Sequence, residues 1–121
     1  MVFLNLSVIN IETAVNFYVH TLKLFKLQRP NRLICSKGVE LILDLCEIGS
    51  EEHLNIFEQS LHVKSSFTIS FDNTKLLLSD DLTANLYDFE LTRNIAGSFL
   101  KMNDPSGNKL VIRHQDTGGI V

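Results

Sequence analysis

A chain of 121 residues that is 45% apolar has the size and composition of one globular domain. Its formal net charge of −3, without any basic run, argues against nucleic acid or an anionic membrane surface as the main partner. No apolar segment approaches the length that spans a bilayer, and the first five residues lack the basic flank and apolar core of a secretory signal.

The first half of the chain predicts a strand, a helix and three further strands. Residues 2–9 alternate between apolar and polar side chains, which indicates a strand with one buried face. Asn10 is suited to cap a helix that reaches about Leu24. The helix carries one apolar stripe with helical spacing: Ala14, Phe17, Tyr18, Thr21 and Leu22. Turns at Pro30-Asn31 and Lys37-Gly38 then separate strands at 25–29, 32–36 and 39–45.

The second half repeats this pattern after a connector at 49–64. The connector predicts a short helix capped by Ser50, with a weakly amphipathic set of Leu54, Ile56, Phe57 and Leu61. Residues 65–71 alternate strictly, Asp72-Asn73-Thr74 cap a helical stretch to about Tyr87, and strands follow at 89–93, 98–103 and 109–114. Residues 116–119 resemble a frayed tail.

Two β-α-β-β-β modules in tandem therefore follow from periodicity and turn chemistry alone. We expect an α+β fold in a single domain over 1–121, with module one at about 1–48, the connector at 49–64 and module two at 65–115. Each module offers one sheet with a helix on one face, so the other face is left to be covered or to form a cavity.

Strand alternation assigns the side chains to these two faces. The apolar set is expected to pack against the helices: Leu4, Leu6, Val8, Leu41, Leu43, Leu45, Phe67, Ile69, Phe71, Leu110 and Ile112. The opposite face mixes hydroxyls, carboxylates, an amide, a guanidinium and apolar groups: Phe3, Asn5, Ser7, Glu40, Ile42, Asp44, Ser66, Thr68, Ser70, Val111 and Arg113. Such a face fits a cleft for a small, partly polar molecule, and it equally fits the hydrated side of a two-layer sheet.

Two segments resemble the opening and closing signatures of the vicinal-oxygen-chelate superfamily, which includes glyoxalase I, bleomycin-resistance proteins and extradiol dioxygenases. They are Val8-Ile9-Asn10-Ile11-Glu12-Thr13-Ala14-Val15-Asn16-Phe17-Tyr18 and Asp104-Pro105-Ser106-Gly107-Asn108. The resemblance implies that the two modules form an open, cupped mixed sheet around a ligand cavity, with the helices outside. The chain departs from the superfamily at Leu22-Lys23-Leu24, where a glycine usually follows the leucine that ends the first helix.

The metal-dependent members of this superfamily bind a divalent ion through His, Gln or Glu on four strands. The resemblance places those four positions at Phe3, Ile42, Ser66 and Val111, whose side chains do not bind transition metals. It therefore implies no metal and no cofactor. Among the histidines, we expect His20 and His53 on the solvated surface and His62 in a loop, and none has metal-ligand spacing.

Catalysis without a metal would need another group. Cys35 and Cys46 lie in strands and are interpreted as reduced, structural thiols, which favours a cytoplasmic location. Glu40 and Asp44 share a face and could serve as a general base if desolvated, although paired carboxylates are common on hydrated strands. No nucleophile with a neighbouring histidine is evident.

The favoured interpretation is a non-metal, small-molecule-binding protein of the glyoxalase/bleomycin-resistance type, without enzymatic activity. It would sequester a partly hydrophobic ligand, with Asn5, Thr68 and Arg113 as polar anchors. One alternative is a divergent lyase, isomerase or dioxygenase that keeps a metal at relocated ligands such as Glu40 or Asp44. A second alternative is a dimeric scaffold with no small-molecule role.

A homodimer is expected on the same resemblance. One copy builds a single cleft that its short loops leave open, and superfamily members of this size generally pair. The sequence does not distinguish a side-by-side dimer from one that exchanges modules, and it does not identify the ligand.

Overall fold

A computed structural model describes residues 1–36, 38–72, 89–94 and 97–115. Module one contains β1 (Val2–Val8), α1 (Ile11–Val15) continued by a π-helix (Asn16–Thr21), β2 (Phe25–Arg29), β3 (Arg32–Cys35) and β4 (Leu41–Glu47). The connector contains α2 (Glu51–Phe57), and module two contains β5 (Ser66–Asp72), β6 (Phe89–Asn94), β7 (Gly97–Asn103) and β8 (Lys109–Gln115). The predicted helix from Asn73 to Tyr87 and the predicted frayed tail lie outside the described residues.

The strands form two four-stranded mixed sheets with the same internal order. The first sheet runs β1-β4-β3-β2 and the second runs β5-β8-β7-β6. In each sheet the first pair is parallel and the other pairs are antiparallel. The α+β class and the two-module repeat predicted from the sequence are therefore confirmed. No helix in the described ranges combines the length and the apolar composition needed to cross a bilayer.

The first helix begins where the sequence predicts but changes type partway. The Asn10 side chain accepts the backbone N–H of Thr13 at 2.9 Å, which caps the helix. From Asn16 onward the backbone is a π-helix, and its last bond joins the N–H of Leu22 to the carbonyl of Phe17. This segment is rich in aromatic and β-branched residues, which have weak α-helical preference, so the predicted continuous α-helix to Leu24 is corrected here.

The core lies between the helix and the sheets, on the face that alternation assigned to it. Its buried residues include Leu6, Val8, Leu41, Leu43, Leu45, Ile69, Leu110 and Ile112, with Leu4 and Phe67 packed against them. Ala14, Tyr18 and Leu22 supply the helical side of this core. The side chain of Phe71 lies outside the described residues.

Asp104 joins the turn before β8 to the first helix. Its carboxylate is 5% exposed and accepts the Tyr18 hydroxyl at 2.7 Å and the backbone N–H groups of Ser106 and Asn108 at 2.9 and 2.8 Å. The Asn108 amide donates to the same carboxylate and to the carbonyl of Ser7, both at 3.0 Å. Gly107 has φ +83°, which the tight turn requires. The turn thus fixes module two against module one.

Candidate ligand-binding faces

The side chains predicted to line a cleft lie on one sheet face in each module. In the first sheet, Phe3 pairs with Ile42 and Asn5 pairs with Asp44 across parallel strands. Across the antiparallel strands, Arg32 pairs with Asp44 and Ile34 pairs with Ile42. We call the surface formed by these side chains the first face: Phe3, Asn5, Arg32, Ile34, Ile42 and Asp44.

The second sheet repeats the arrangement with a different composition. Ser66 pairs with Lys109, Thr68 with Val111 and Ser70 with Arg113. Lys101 lies opposite Val111 on the other side of β8. We call this surface the second face: Ser66, Thr68, Ser70, Lys101, Lys109, Val111 and Arg113. A cavity of about 450 Å³ opens onto it, next to Ser66, Lys101, Lys109 and Val111.

The four positions at which the resemblance expects metal ligands lie on these faces. Phe3 and Ile42 are direct cross-strand neighbours on the first face. Ser66 and Val111 lie on adjacent strands of the second face, offset by two residues, because Ser66 pairs with Lys109 and Val111 with Thr68. A phenyl ring, two aliphatic side chains and one hydroxyl do not fit a divalent transition metal. Within the described ranges, no three His, Cys, Asp or Glu side chains are grouped as metal ligands.

The charged groups of the first face neutralise each other. Arg32 donates two hydrogen bonds to the Asp44 carboxylate, from Nε at 2.6 Å and from Nη2 at 3.2 Å. The hydrogen bond to Asp44 raises the pKa of Arg32, and the guanidinium also lies 5.6 Å from the centre of the Phe3 ring. Both oxygens of Asp44 are thus occupied, which argues against Asp44 as a general base.

The predicted cleft residues differ widely in exposure. Phe3, Asn5, Glu40, Ser66, Thr68, Ser70 and Arg113 are exposed, whereas Asp44 and Val111 are half-buried and Ile42 is buried. Glu40 lies at the start of β4, with its carboxylate 3.6 Å from the amino group of Met1. Such an exposed carboxylate is not a desolvated base.

Ser7 is fully buried and belongs to a different environment. Its hydroxyl lies 2.7 Å from His53 Nε2 and 2.8 Å from His62 Nδ1, and the backbone N–H of Val63 donates to it at 3.3 Å. Ser7 is therefore covered by the connector, and its hydroxyl is committed to three partners. We call Ser7, His53 and His62 the buried histidine cluster.

His53 corrects the expectation of a solvated histidine. Its side chain is 0% exposed, while Leu54, Ile56 and Leu61 of the same connector are 52%, 40% and 70% exposed. The helix therefore turns a polar residue inward and apolar residues outward. The hydrogen bond to Ser7 and the stacking of the His53 ring on Phe57, at 4.8 Å between centroids, compensate for this inversion.

The hydrogen bonds of the cluster define its proton positions. The carbonyl of Ser106 can only accept, so His62 Nε2 carries the proton that bonds it. With neutral imidazoles, Ser7 then donates to His62 Nδ1 and accepts from His53 Nε2. His53 Nδ1 is left as a buried acceptor with no hydrogen-bond partner in the described part of the chain.

Lys101 and Lys109 lie on the second face, and the sequence interpretation did not include them. Both are exposed on the second face beside Val111. The signal was available, because Lys101 lies between the buried residues Leu100 and Met102, and Lys109 directly precedes buried Leu110. Alternation assigns both lysines to the same face as Val111.

Comparison with solved structures identifies the architecture. The chain is similar to lactoylglutathione lyase from Agrobacterium tumefaciens, with a TM-score of 0.66 and 15% identity over 94% of this chain and 92% of that one. A glyoxalase/bleomycin resistance protein/dioxygenase from Nocardioides gives a TM-score of 0.61 and 16% identity over 96% and 83% of the two chains. An antibiotic-binding protein from Streptomyces gives a TM-score of 0.64 and 15% identity over 94% of this chain and 93% of that one.

Sequence comparison adds nothing further, because no protein-family model and no curated protein matches the chain. At these identities the structural similarity establishes the architecture alone. The sheet order, the two-module repeat and the similarity over nearly the whole chain agree with the resemblance in the sequence. The chain therefore has the same fold as these glyoxalase/bleomycin resistance protein/dioxygenase structures.

Proposed function

We propose that the chain is a non-metal binding protein that holds a small, partly hydrophobic molecule on its sheet faces without changing it chemically. The observation that carries this proposal is that Phe3, Ile42, Ser66 and Val111 stand where the resemblance to the superfamily expects metal ligands. In the metal-dependent members of the superfamily, the side chains at those positions bind the metal. Here they are three apolar side chains and one hydroxyl. The antibiotic-binding protein from Streptomyces supports the proposal, since it shares the fold.

The faces offer apolar contact beside polar anchors. Phe3 is 57% exposed and lies beside buried Ile42, so an apolar part of a ligand can displace water from the phenyl ring. Asn5, Thr68 and Arg113 are exposed and can donate hydrogen bonds to polar atoms of the ligand. This mixture is typical of small-molecule sites.

A thermal-shift screen against metabolites and antibiotics tests the proposal directly, because a ligand of the folded state raises the melting temperature. Phe3→Ala should reduce the shift given by a hit that binds the first face. Leu27→Ala is the matched control, because Leu27 is 52% exposed and alternates to the other side of the same sheet. Hits unaffected by Phe3→Ala would contradict a site on the first face.

The alternative function is a divergent metal-dependent lyase, isomerase or dioxygenase. The similarity to the lactoylglutathione lyase from Agrobacterium tumefaciens favours it as the competing candidate. Metal analysis of protein purified without chelators separates the two functions. A stoichiometric transition metal would overturn the proposal in favour of the enzyme.

We also propose that the protein is a cytoplasmic homodimer. Val2 and Phe3 at the start of edge strand β1 are 63% and 57% exposed, and Met1 just before it is 66% exposed, so this apolar edge is suited to a partner surface. Both cysteines are free and buried, which fits a reducing compartment. Light scattering at tens of micromolar protein tests the dimer, and a monomer mass would contradict it. A monomer mass together with no hit in the thermal-shift screen would contradict both the binding function and a dimeric scaffold.

A further inference from the structure

The second face concentrates positive charge on an otherwise acidic chain. Lys109 and Arg113 flank Val111 on β8, and Lys101 lies opposite Val111 on β7. Strand geometry separates alternate residues by about 7 Å and diagonal cross-strand neighbours by about 7–8 Å. The three exposed cations therefore form a triangle, with Lys109 and Arg113 about 13 Å apart along β8, half-buried Val111 midway between them and Lys101 beside Val111.

These cations lack internal ion-pair partners in the described ranges. There, ion pairs within 4.0 Å join Met1 to Glu40 and Arg32 to Asp44, and neither involves the second face. One carboxylate, Glu90, lies opposite Lys101 on β6 and lines the same cavity, but within the described ranges it forms no ion pair with Lys101. The first face neutralises its cation with a carboxylate, whereas the second face keeps an excess of positive charge.

The surroundings of the triangle suit an anion attached to an apolar body. Ser66 and Thr68 supply hydroxyl donors on the adjacent strand, next to Lys109 and Val111. The cavity of about 450 Å³ beside them is within the size range of small-molecule sites, and Phe89 contributes an aromatic ring that is 41% exposed. Arg113 lies 5.6 Å from the centre of the Phe99 ring, which limits the freedom of its guanidinium.

We propose that the second face binds a small organic anion, with its carboxylate or phosphate group between Lys101, Lys109 and Arg113 and its apolar part in the adjoining cavity. This inference rests on the proposed function and specifies the ligand class. Charge-assisted hydrogen bonds from ammonium and guanidinium groups to carboxylate or phosphate are the strong interactions available on this surface. A neutral molecule of the same shape would leave that cationic surface without an anion.

The experiment uses two fluorescent probes that share one apolar body. The dye 8-anilinonaphthalene-1-sulfonate is anionic, and N-phenyl-1-naphthylamine is its counterpart without the sulfonate. We expect the full chain to bind the anionic probe more tightly, and the double substitution Lys101→Met with Lys109→Met to weaken it about five- to tenfold. The affinity for the neutral probe should be unchanged. Lys26→Met, on the edge strand of the other sheet, is the matched control.

Competition distinguishes the two sources of anion. A phosphate group is supported if inorganic phosphate displaces the anionic probe from the wild-type chain but not from residual sites of the double variant. A carboxylate is supported if benzoate displaces the probe and phosphate does not. Equal binding of both probes, unaffected by the double substitution, would overturn the anionic ligand class and leave the proposed binding function standing. Binding of neither probe would overturn both.

Discussion

The hydroxyl of Tyr18 lies 2.7 Å from the carboxylate of Asp104, although 86 positions separate the two residues along the chain. Tyr18 is on the π-helix of module one, and Asp104 opens the turn before β8 in module two. Both side chains are buried. The bond therefore couples the packing of the first helix to the turn that starts the final strand.

Replacing Tyr18 with Phe should destabilise the chain by about 1.5–3 kcal/mol near neutral pH, because a buried carboxylate loses a strong donor while the aromatic packing remains. Urea denaturation measures the change. Ile69→Val, a conservative change in the same core, is the control for packing and should cost about 0.5–1.5 kcal/mol.

The same pair predicts how stability depends on alkaline pH. Burial, followed by the charge and hydrogen bond of Asp104, raises the pKa of Tyr18 well above its ordinary value of 10.0. At alkaline pH the folded state therefore keeps the Tyr18 proton that the unfolded chain releases. The contribution of Tyr18 to the free energy of unfolding is complete below its ordinary pKa and is lost as pH rises toward its pKa in the folded state. The stability gap between wild type and Tyr18→Phe should narrow above pH 10.0. A constant gap would contradict this assignment.

The bond between Ser7 and His53 should appear as a coupling energy. Removing either partner alone leaves the other buried with a lost hydrogen bond, at a cost of about 1–3 kcal/mol. Removing both with Ser7→Ala and His53→Phe spares that penalty. We expect the double variant to be more stable than the sum of the single effects by about 1 kcal/mol, measured by urea denaturation. Additive single effects would mean that the bond contributes nothing to stability.

The buried cysteines should be inert in the folded chain. Burial raises the pKa of the Cys46 thiol to about 11, with smaller contributions from Glu52 and Asp44, so little thiolate exists near neutral pH. In a Cys35→Ser variant, which isolates Cys46, we expect no reaction with a disulfide reagent at about pH 8 until the chain is unfolded. Rapid labelling of the folded variant would show that Cys46 is accessible.

The strands and their buried faces could be predicted because side-chain alternation encodes both. Leu41, Leu43 and Leu45 alternate with Ile42 and Asp44, and the structure places the leucines in the core as expected. The cap by Asn10 followed from local hydrogen-bond chemistry and is also found. These features depend on near neighbours in sequence, which is why a single sequence suffices to predict them.

Features that depend on distant partners could not be predicted in the same way. The apolar residues of the connector predict that they face inward, yet the buried side chain is His53, which bonds to Ser7. Because Ser7 lies 46 positions away in the sequence, local patterns do not reveal this bond. The pairing of Arg32 with Asp44 depends on the register between two strands. Opposite charges on adjacent predicted strands were a usable signal for that pair. The aromatic and β-branched residues from 16 to 21 weaken an α-helix, but they do not specify that the backbone becomes a π-helix at Asn16.

The last prediction concerns Lys23, where the chain lacks the glycine that the resemblance to the superfamily leads us to expect. Lys23 follows the π-helix with φ +58°, a left-handed conformation in which a side chain is strained and glycine is not. Superfamily members usually have a glycine at this position, after the leucine that ends the first helix. Lys23→Gly should therefore stabilise the chain by about 0.5–1 kcal/mol, the strain relieved minus the extra freedom that glycine gives the unfolded chain. Lys23→Ala removes the same charge but keeps the Cβ atom, so it should give no such gain. Melting temperatures and urea midpoints of both variants test this, and equal stability of the two would contradict strain at Lys23.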